Sequence, residues 1–337
     1  MKAIVYTKPG GIKIKEVPKP KLSNYEVLLK IKAVGLCGTD LHIYKGKMDV
    51  KPPLIMGHEF SGIVVDKGPS VTNVKIGDAV VGEHVVTCKR CNYCKSGKPN
   101  LCAKAKVIGL HRPGALAEYL AIPADLVYKF PRRQINFEEA ALIEPLSIAV
   151  YAVGQEPAEL DKNVAVIGQG PIGLFLDQVL KTSGANVVGI DTLNHRLNFA
   201  KKKKWIDKTI NPKTQSVAKI ISHFAPDGVD ETFEAVGIEA TAQTAIDITR
   251  RDGHVYLLGV FESPGKLDLM KIVKKELNIH GSWTCAFAFQ PAIDLVKNKK
   301  IDLKSLITHR YHYTQAEEAF KGAISYSQKR IKTVITF

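Results

Sequence analysis

The sequence predicts an α/β protein in two parts, a β-rich part followed by a doubly wound parallel sheet. Three observations carry this. The first 130 residues hold many short strand-like segments separated by Gly/Pro turns such as Pro9-Gly10-Gly11, Pro52-Pro53 and Gly68-Pro69. From Phe137 the apolar period changes to that of helices, and strand–helix alternation begins. Within that alternation Val164-Ala165-Val166-Ile167-Gly168-Gln169-Gly170-Pro171-Ile172-Gly173 joins an apolar strand to a helix through a glycine turn.

Taken in order, strands are read at 2–6, 12–17, 27–34, 62–65, 79–81 and 116–122, a pattern of a barrel or partly open β-domain. A helix is read over 138–153, with Glu144-Pro145 inside it. Strand 164–167, helix 172–183, strand 187–190, helix 194–203, strand 228–235, helix 239–250 and strand 255–258 follow. Such alternation implies a parallel sheet with helices on both faces. A helix at 289–298 and a strand at 332–337 end the chain, and this tail is expected to return to the first domain. The domains are thus 1–152, containing a cysteine lobe at 84–105, then 153–286, with 287–337 rejoining the first.

At 337 residues, 45% apolar and 24% charged, the chain reads as globular with two cores. Its amino terminus lacks the apolar core of a signal peptide, and no stretch reaches the roughly 18 apolar residues of a membrane span, so a cytoplasmic protein is expected. The net charge of +15 is spread along the chain apart from a lysine run at 201–204. Without aromatics interleaved among the basic residues, this is read as a solvated surface and not a nucleic-acid site.

Cys88, Cys91, Cys94 and Cys102 lie within fifteen residues of one another. Four thiolates close a tetrahedral Zn²⁺ shell, which makes a structural site. Cys37, His58 and a carboxylate at Glu59 or Glu144 make a mixed set, the kind that leaves a coordination position open for chemistry. A carboxylate such as Glu144 in an apolar helix is costly unless paired or bound to a cation. In the glycine turn, Gly168 permits the tight turn, Gly170 lets backbone approach a pyrophosphate and Gly173 packs helix on strand. Asp191, eighteen residues past Gly173, would bind an adenosine ribose and repel a 2′-phosphate, favouring NAD; Arg196 is placed to meet such a phosphate.

Cys37-Gly38-Thr39-Asp40, Gly57-His58-Glu59, the four-cysteine lobe, Glu144-Pro145 and Gly168–Gly173 together resemble the zinc-containing medium-chain dehydrogenase/reductase family over essentially the whole chain. The resemblance implies a GroES-like catalytic domain around a Rossmann domain, one catalytic and one structural Zn²⁺, and a homodimer or homotetramer formed partly through an edge strand near 277–283. It implies catalytic-zinc positions at Cys37, His58, Glu59 and Glu144. Thr39 corresponds to the hydroxyl that relays the substrate proton, and His42 is a candidate for carrying it outward. The cofactor positions are Gly168, Gly170, Pro171, Ile172, Gly173, Asp191, Arg196 and Gly259.

Glu144-Pro145 resembles the sorbitol, L-threonine and sugar-acid dehydrogenase branch; the alcohol dehydrogenases place a cysteine there. The turn Gly109–Gly114 resembles sugar-acid dehydrogenases, with Pro113 in place of an acidic residue, and Gly281–Cys285 resembles polyol enzymes. Against these, Thr39–Tyr44 resembles L-threonine dehydrogenase. The expected reaction is oxidation of a secondary hydroxyl of a polyol or sugar acid, with an amino-alcohol acid, L-threonine, as the alternative substrate.

Overall fold

The computed structural model describes residues 1–156, 160–325 and 329–337. The chain folds as two compact units, one of Met1–Glu144 with Ala286–Phe337, the other Pro145–Cys285.

In the first unit β1 (Lys2–Lys8) and β2 (Gly11–Glu16) form an antiparallel hairpin, and β3 (Glu26–Gly35) is the central strand of a larger sheet. After α1 (Gly38–Tyr44), β4 (Leu54–Ile55) closes on β1, and β5 (Glu59–Lys67) runs antiparallel to β3. β6 (Ala79–Gly82) follows. Then β7 (Val85–Val86) and β8 (Lys106–Val107) pair to bracket the cysteine lobe, which contains α2 (Asn92–Lys95). β9 (Tyr119–Pro123), β10 (Val127–Lys129) and α3 (Phe137–Ala141) complete the segment. Its core gathers the inward side chains of these strands, among them Ile4, Leu29, Ile31, Phe60 and Ile122, with Met56 from the stretch between β4 and β5. Each such burial contributes roughly 1.5–3 kcal/mol.

The helix expected over 138–153 is two helices, α3 and α4 (Ile143–Val153), with Leu142 between them. Pro145 is the reason. It has no N–H to give Ala141, and its ring would strike that carbonyl in a continuous helix. At the third position of a new helix the same proline removes no helical hydrogen bond, since that N–H would be unpaired anyway. Glu144 is thereby placed in the first turn of α4 and not in mid-helix.

The second unit is a six-stranded parallel sheet. β11 (Asn163–Ile167), α5 (Pro171–Thr182), β12 (Asn186–Ile190), α6 (Asn194–Lys202), β13 (Lys208–Ile210), α7 (Val217–Phe224), β14 (Val229–Glu234), α8 (Glu239–Ile248), β15 (Thr249–Leu257), α9 (Leu269–Lys275) and β16 (Asn278–Gly281) succeed one another. The strand order β13-β12-β11-β14-β15-β16 is that of a dinucleotide-binding sheet, and its switch point lies between β11 and β14. Ala165, Ile167, Val188, Ile190 and Val255 form its core. The helix expected to reach residue 250 stops at Ile248, because Thr249 already pairs with Val229 as the start of β15.

Asp177 of α5 is buried, with one carboxyl oxygen 3.3 Å from Gln169 Nε2 and the other without a hydrogen-bond partner. Burial holds its pKa well above the usual carboxylate value. The folded protein therefore keeps a proton that the unfolded chain releases above about pH 4, so stability falls as pH rises from there towards the folded pKa, by about 1.4 kcal/mol per pH unit. Asp177→Asn cannot lose that proton. Urea titrations from pH 4 to 8 should show the variant gaining on the wild type as pH rises and matching it near pH 4.

The tail adds α10 (Phe289–Lys297), β17 (Ile307–His312), α11 (Ala316–Ile324) and β18 (Lys332–Thr336). β18 lies between β3 and β17, antiparallel to the first and parallel to the second, and so belongs to the first unit's main sheet. Phe320 of α11 packs on Tyr44 of α1, ring centroids 5.2 Å apart.

Candidate active site

The register of three strands assembles a candidate metal-ligand constellation. Gly35, the last residue of β3, faces Glu59, the first of β5. Continuing two residues past Gly35 and one back from Glu59 brings Cys37 and His58 together from separate segments. On the other side of β3, Val334 of β18 faces the same Gly35, which carries Lys332 to the same end of the sheet. A Cβ on Gly35 would collide with the Glu59 carboxylate, so the glycine makes the space in which Glu59 lies.

Cys37, His58 and Glu59 offer one sulfur, one nitrogen and one oxygen within 4.8 Å of one another. His58 and Glu59 are buried and Cys37 is half-buried. His58 Nδ1 has no hydrogen-bond partner. The buried imidazole, the thiol and the carboxylate together fit a Zn²⁺ ligand set, and a buried nitrogen without a partner is costly. Burial works against a charged His58, but Cys37 and Asp40 outweigh it and raise its pKa well above the ordinary value, so a metal ion entering there displaces a proton.

Glu144, the other carboxylate indicated by the sequence, stands outside this trio. Its Oε1 lies 2.9 Å from His84 Nδ1, and both side chains are almost fully buried. Burial pushes its pKa up, but His84 and His58 prevail and hold it below the usual value. Thr39 Oγ1 is 3.6 Å from Cys37 Sγ, and His42 sits half-buried in the last turn of α1.

Three residues to which the sequence reading gave no role complete the surroundings. Asp40, wholly buried, accepts hydrogen bonds from the N–H of Cys37 (2.9 Å) and of Gly57 (3.1 Å), tying the cysteine loop to the histidine turn. His84 lies beside His58, ring centroids 5.3 Å apart, and supports Glu144. Lys332 contacts both oxygens of Glu59, at 2.6 and 2.5 Å, with both side chains buried. Burial favours the uncharged amine, yet Glu59 and Cys37 hold the Lys332 pKa above the ordinary lysine value. Asp40 and His84 carried a local signal, a carboxylate inside the Cys37 motif and a histidine near the lobe. Lys332 carried none beyond being a cation in an apolar strand.

The lobe brings the Sγ atoms of Cys88, Cys91, Cys94 and Cys102 within 4.8 Å of one another, with no disulfide among them. Backbone N–H groups of Arg90 and Cys91 lower the Cys88 pKa to about 6, as suits a thiolate ligand. This donor set fits a closed, structural Zn²⁺ site.

In the second unit Gly170 caps α5 and Pro171 is its first residue. A Cβ on Gly173 would run into the Gly168 carbonyl, so helix and strand approach only because that position is glycine. Asp191 accepts hydrogen bonds from the N–H of Gln169 and of Leu193, both at 2.7 Å, which fixes its carboxylate beside the turn. Arg196 Nη1 is 3.8 Å from it. Gly259 follows β15 and donates its N–H to the Glu234 carbonyl. The turn, the helix amino terminus and the acid at the next strand end suit a dinucleotide pyrophosphate and ribose.

Fold and sites together define a zinc-dependent dehydrogenase that uses a nicotinamide cofactor. The family profile for the alcohol dehydrogenase GroES-like domain matches residues 23–132, and that for zinc-binding dehydrogenase matches 171–298. A probable D-xylulose reductase A of Emericella nidulans is 36% identical over 336 residues, covering 96% of this chain and 93% of the relative. A sorbitol dehydrogenase of Halalkalibacterium halodurans is 33% identical over 343 residues, covering 100% and 99%. Among solved structures, an alcohol dehydrogenase of E. coli CFT073 complexed with NADH superposes with a TM-score of 0.94 at 31% identity, covering 100% of this chain and 99% of that one. The chain belongs to the zinc-containing medium-chain dehydrogenase/reductase family. Among the described residues, no helix is long and apolar enough to cross a membrane.

Proposed function

We propose that this enzyme oxidises a secondary hydroxyl of a polyol or sugar acid to the ketone, with NAD as hydride acceptor. The observation that carries this reading is the Cys37–His58–Glu59 cluster with the buried Glu144 beside it, in a chain similar to a xylulose reductase and a sorbitol dehydrogenase. Bound there, Zn²⁺ would supply Lewis-acid polarisation of the hydroxyl oxygen, and the nicotinamide ring would accept the hydride.

The protein's own groups have these roles in the reading. Cys37 and His58 hold the ion, and Glu59 or Glu144 completes its shell. Asp40 fixes the two loops that present the first two ligands. Thr39 relays the hydroxyl proton, giving up its own as it takes the substrate's, and His42 carries it outward. Gly168, Gly170, Pro171, Ile172 and Gly173 cradle the pyrophosphate, Asp191 binds the adenosine ribose, Arg196 and Gly259 line the cofactor site, and the lobe cysteines hold a structural Zn²⁺. The fixed Asp191 carboxylate supports NAD over NADP. A thiol-rich metal lobe suits a reducing compartment, in keeping with a cytoplasmic enzyme. A homodimer or homotetramer through β16, an edge strand in the isolated chain, completes the proposal.

The test is an NAD⁺-reduction screen of zinc-loaded enzyme against polyols, aldonic acids and L-threonine. Turnover of a polyol or an aldonic acid supports the reading; turnover confined to L-threonine overturns it.

A further inference from the structure

His254 and His280 stand on neighbouring strands of the cofactor-binding unit and take no part in the sites above. β15 and β16 run parallel, with His254 opposite Asn278 and Tyr256 opposite His280. Side chains alternate along a strand, so both imidazoles share one face with Tyr256, and with Glu231 and Phe233 of β14. The rings on this face are stacked: Phe233 on Tyr256 at 4.5 Å, Tyr256 on His280 at 4.7 Å, and His280 against His254 at 5.2 Å, all within 18° of parallel. This stacking fixes the imidazoles, and His254 Nδ1 lies 3.0 Å from His280 Nε2. Glu156, from the connection between α4 and β11, brings a carboxylate oxygen within 4.8 Å of a ring nitrogen of each histidine. All three residues are half-buried. Glu231, the other acid on the face, is engaged by Lys162 at 2.6 Å.

Two nitrogens bound at about 2.0–2.1 Å to one ion stand about 2.9–3.4 Å apart for ligand angles between 90° and 110°. The observed separation falls in that interval. Two imidazoles and a carboxylate are a donor set for Zn²⁺ and other late first-row divalent ions, and three protein ligands leave a further position for water.

We propose that His254, His280 and Glu156 form a third metal site, which takes a divalent transition ion such as Zn²⁺ and ties the connection entering β11 to the edge of the sheet. The site is separate from both zinc centres of the reaction and the lobe, and it stands whichever substrate the enzyme uses.

The test uses Co²⁺ as the probe, added to full-length enzyme whose other two sites are already filled with zinc. Wild type is expected to take up about one further equivalent, with the visible absorption of bound Co²⁺ but without the near-ultraviolet thiolate-to-metal bands of a cysteine site. His280→Gln should abolish this uptake. Glu156→Gln, which lies outside every strand and leaves the sheet intact, should weaken it by about tenfold or more. Equal uptake by wild type and Glu156→Gln, or no uptake by wild type, overturns the proposal and leaves the two histidines as a hydrogen-bonded pair.

Discussion

Cys37→Ser is expected to lower kcat/KM by roughly 10²–10⁴-fold while leaving the fold intact. Lewis-acid activation of a substrate oxygen is worth several kcal/mol, and each 1.4 kcal/mol is about tenfold in rate. A neutral serine hydroxyl is a far poorer zinc ligand than a thiolate, and His58 with Glu59 alone would not retain the ion. The contact that organises the loop survives the change, because Asp40 bonds the main-chain N–H of residue 37 and not its side chain. Metal analysis should show the loss of about one zinc per chain with little change in the melting temperature. Cys91→Ser is the contrasting case. It also releases a zinc, but from a loop whose order depends on the ion, so the expected effect is a lowered melting temperature with a smaller loss of turnover. Near-normal turnover in a Cys37→Ser enzyme shown to lack the catalytic-site zinc would sink the assignment.

The parts of this architecture that were legible in the sequence are those whose chemistry is local. A tetrathiolate shell or a pyrophosphate turn needs its residues within one short segment, so Cys88–Cys102 and Gly168–Gly173 can be read without knowing the fold. The candidate metal-ligand cluster was legible as a list, since thiol, imidazole and carboxylate are unusual company in apolar segments, but its pairings were not. That Glu59 joins Cys37 and His58 while Glu144 turns to His84 depends on the β3–β5 register and on Pro145 starting a new helix. Periodicity cannot see the second effect, because the apolar spacing continues through the break at Leu142. Very short or half-exposed elements such as β13 and β17 were missed for a related reason: three residues, or alternate burial without a full apolar face, give too little pattern. The Lys332 contact was the least legible. Lys332 and Glu59 are 273 residues apart in sequence and meet only because β18 pairs with β3.

That contact leads to the second large effect. Lys332→Met should destabilise the metal-free protein by about 3–5 kcal/mol, the usual result of removing one partner from a buried ion pair. The methionine keeps most of the lysine's volume, so little of the loss comes from a cavity. What remains is Glu59, buried at the edge of β5 with its countercharge gone. It has two ways to lower that cost: it takes a proton, or it keeps its charge beside a divalent cation. The second route links stability to metal, since an ion bound to the native state alone stabilises it by mass action. The melting temperature of Lys332→Met should therefore fall steeply in chelator and recover much of the difference when zinc is restored, whereas the wild type responds less. Glu59→Gln/Lys332→Met separates the charge from the packing. If the cost is an uncompensated carboxylate, the double variant is less destabilised than the sum of the two single changes, by a coupling of about 0.5–3 kcal/mol. A metal-free Lys332→Met enzyme as stable as wild type would show that Glu59 gains nothing from the lysine, and that the tail reaches β3 for packing alone.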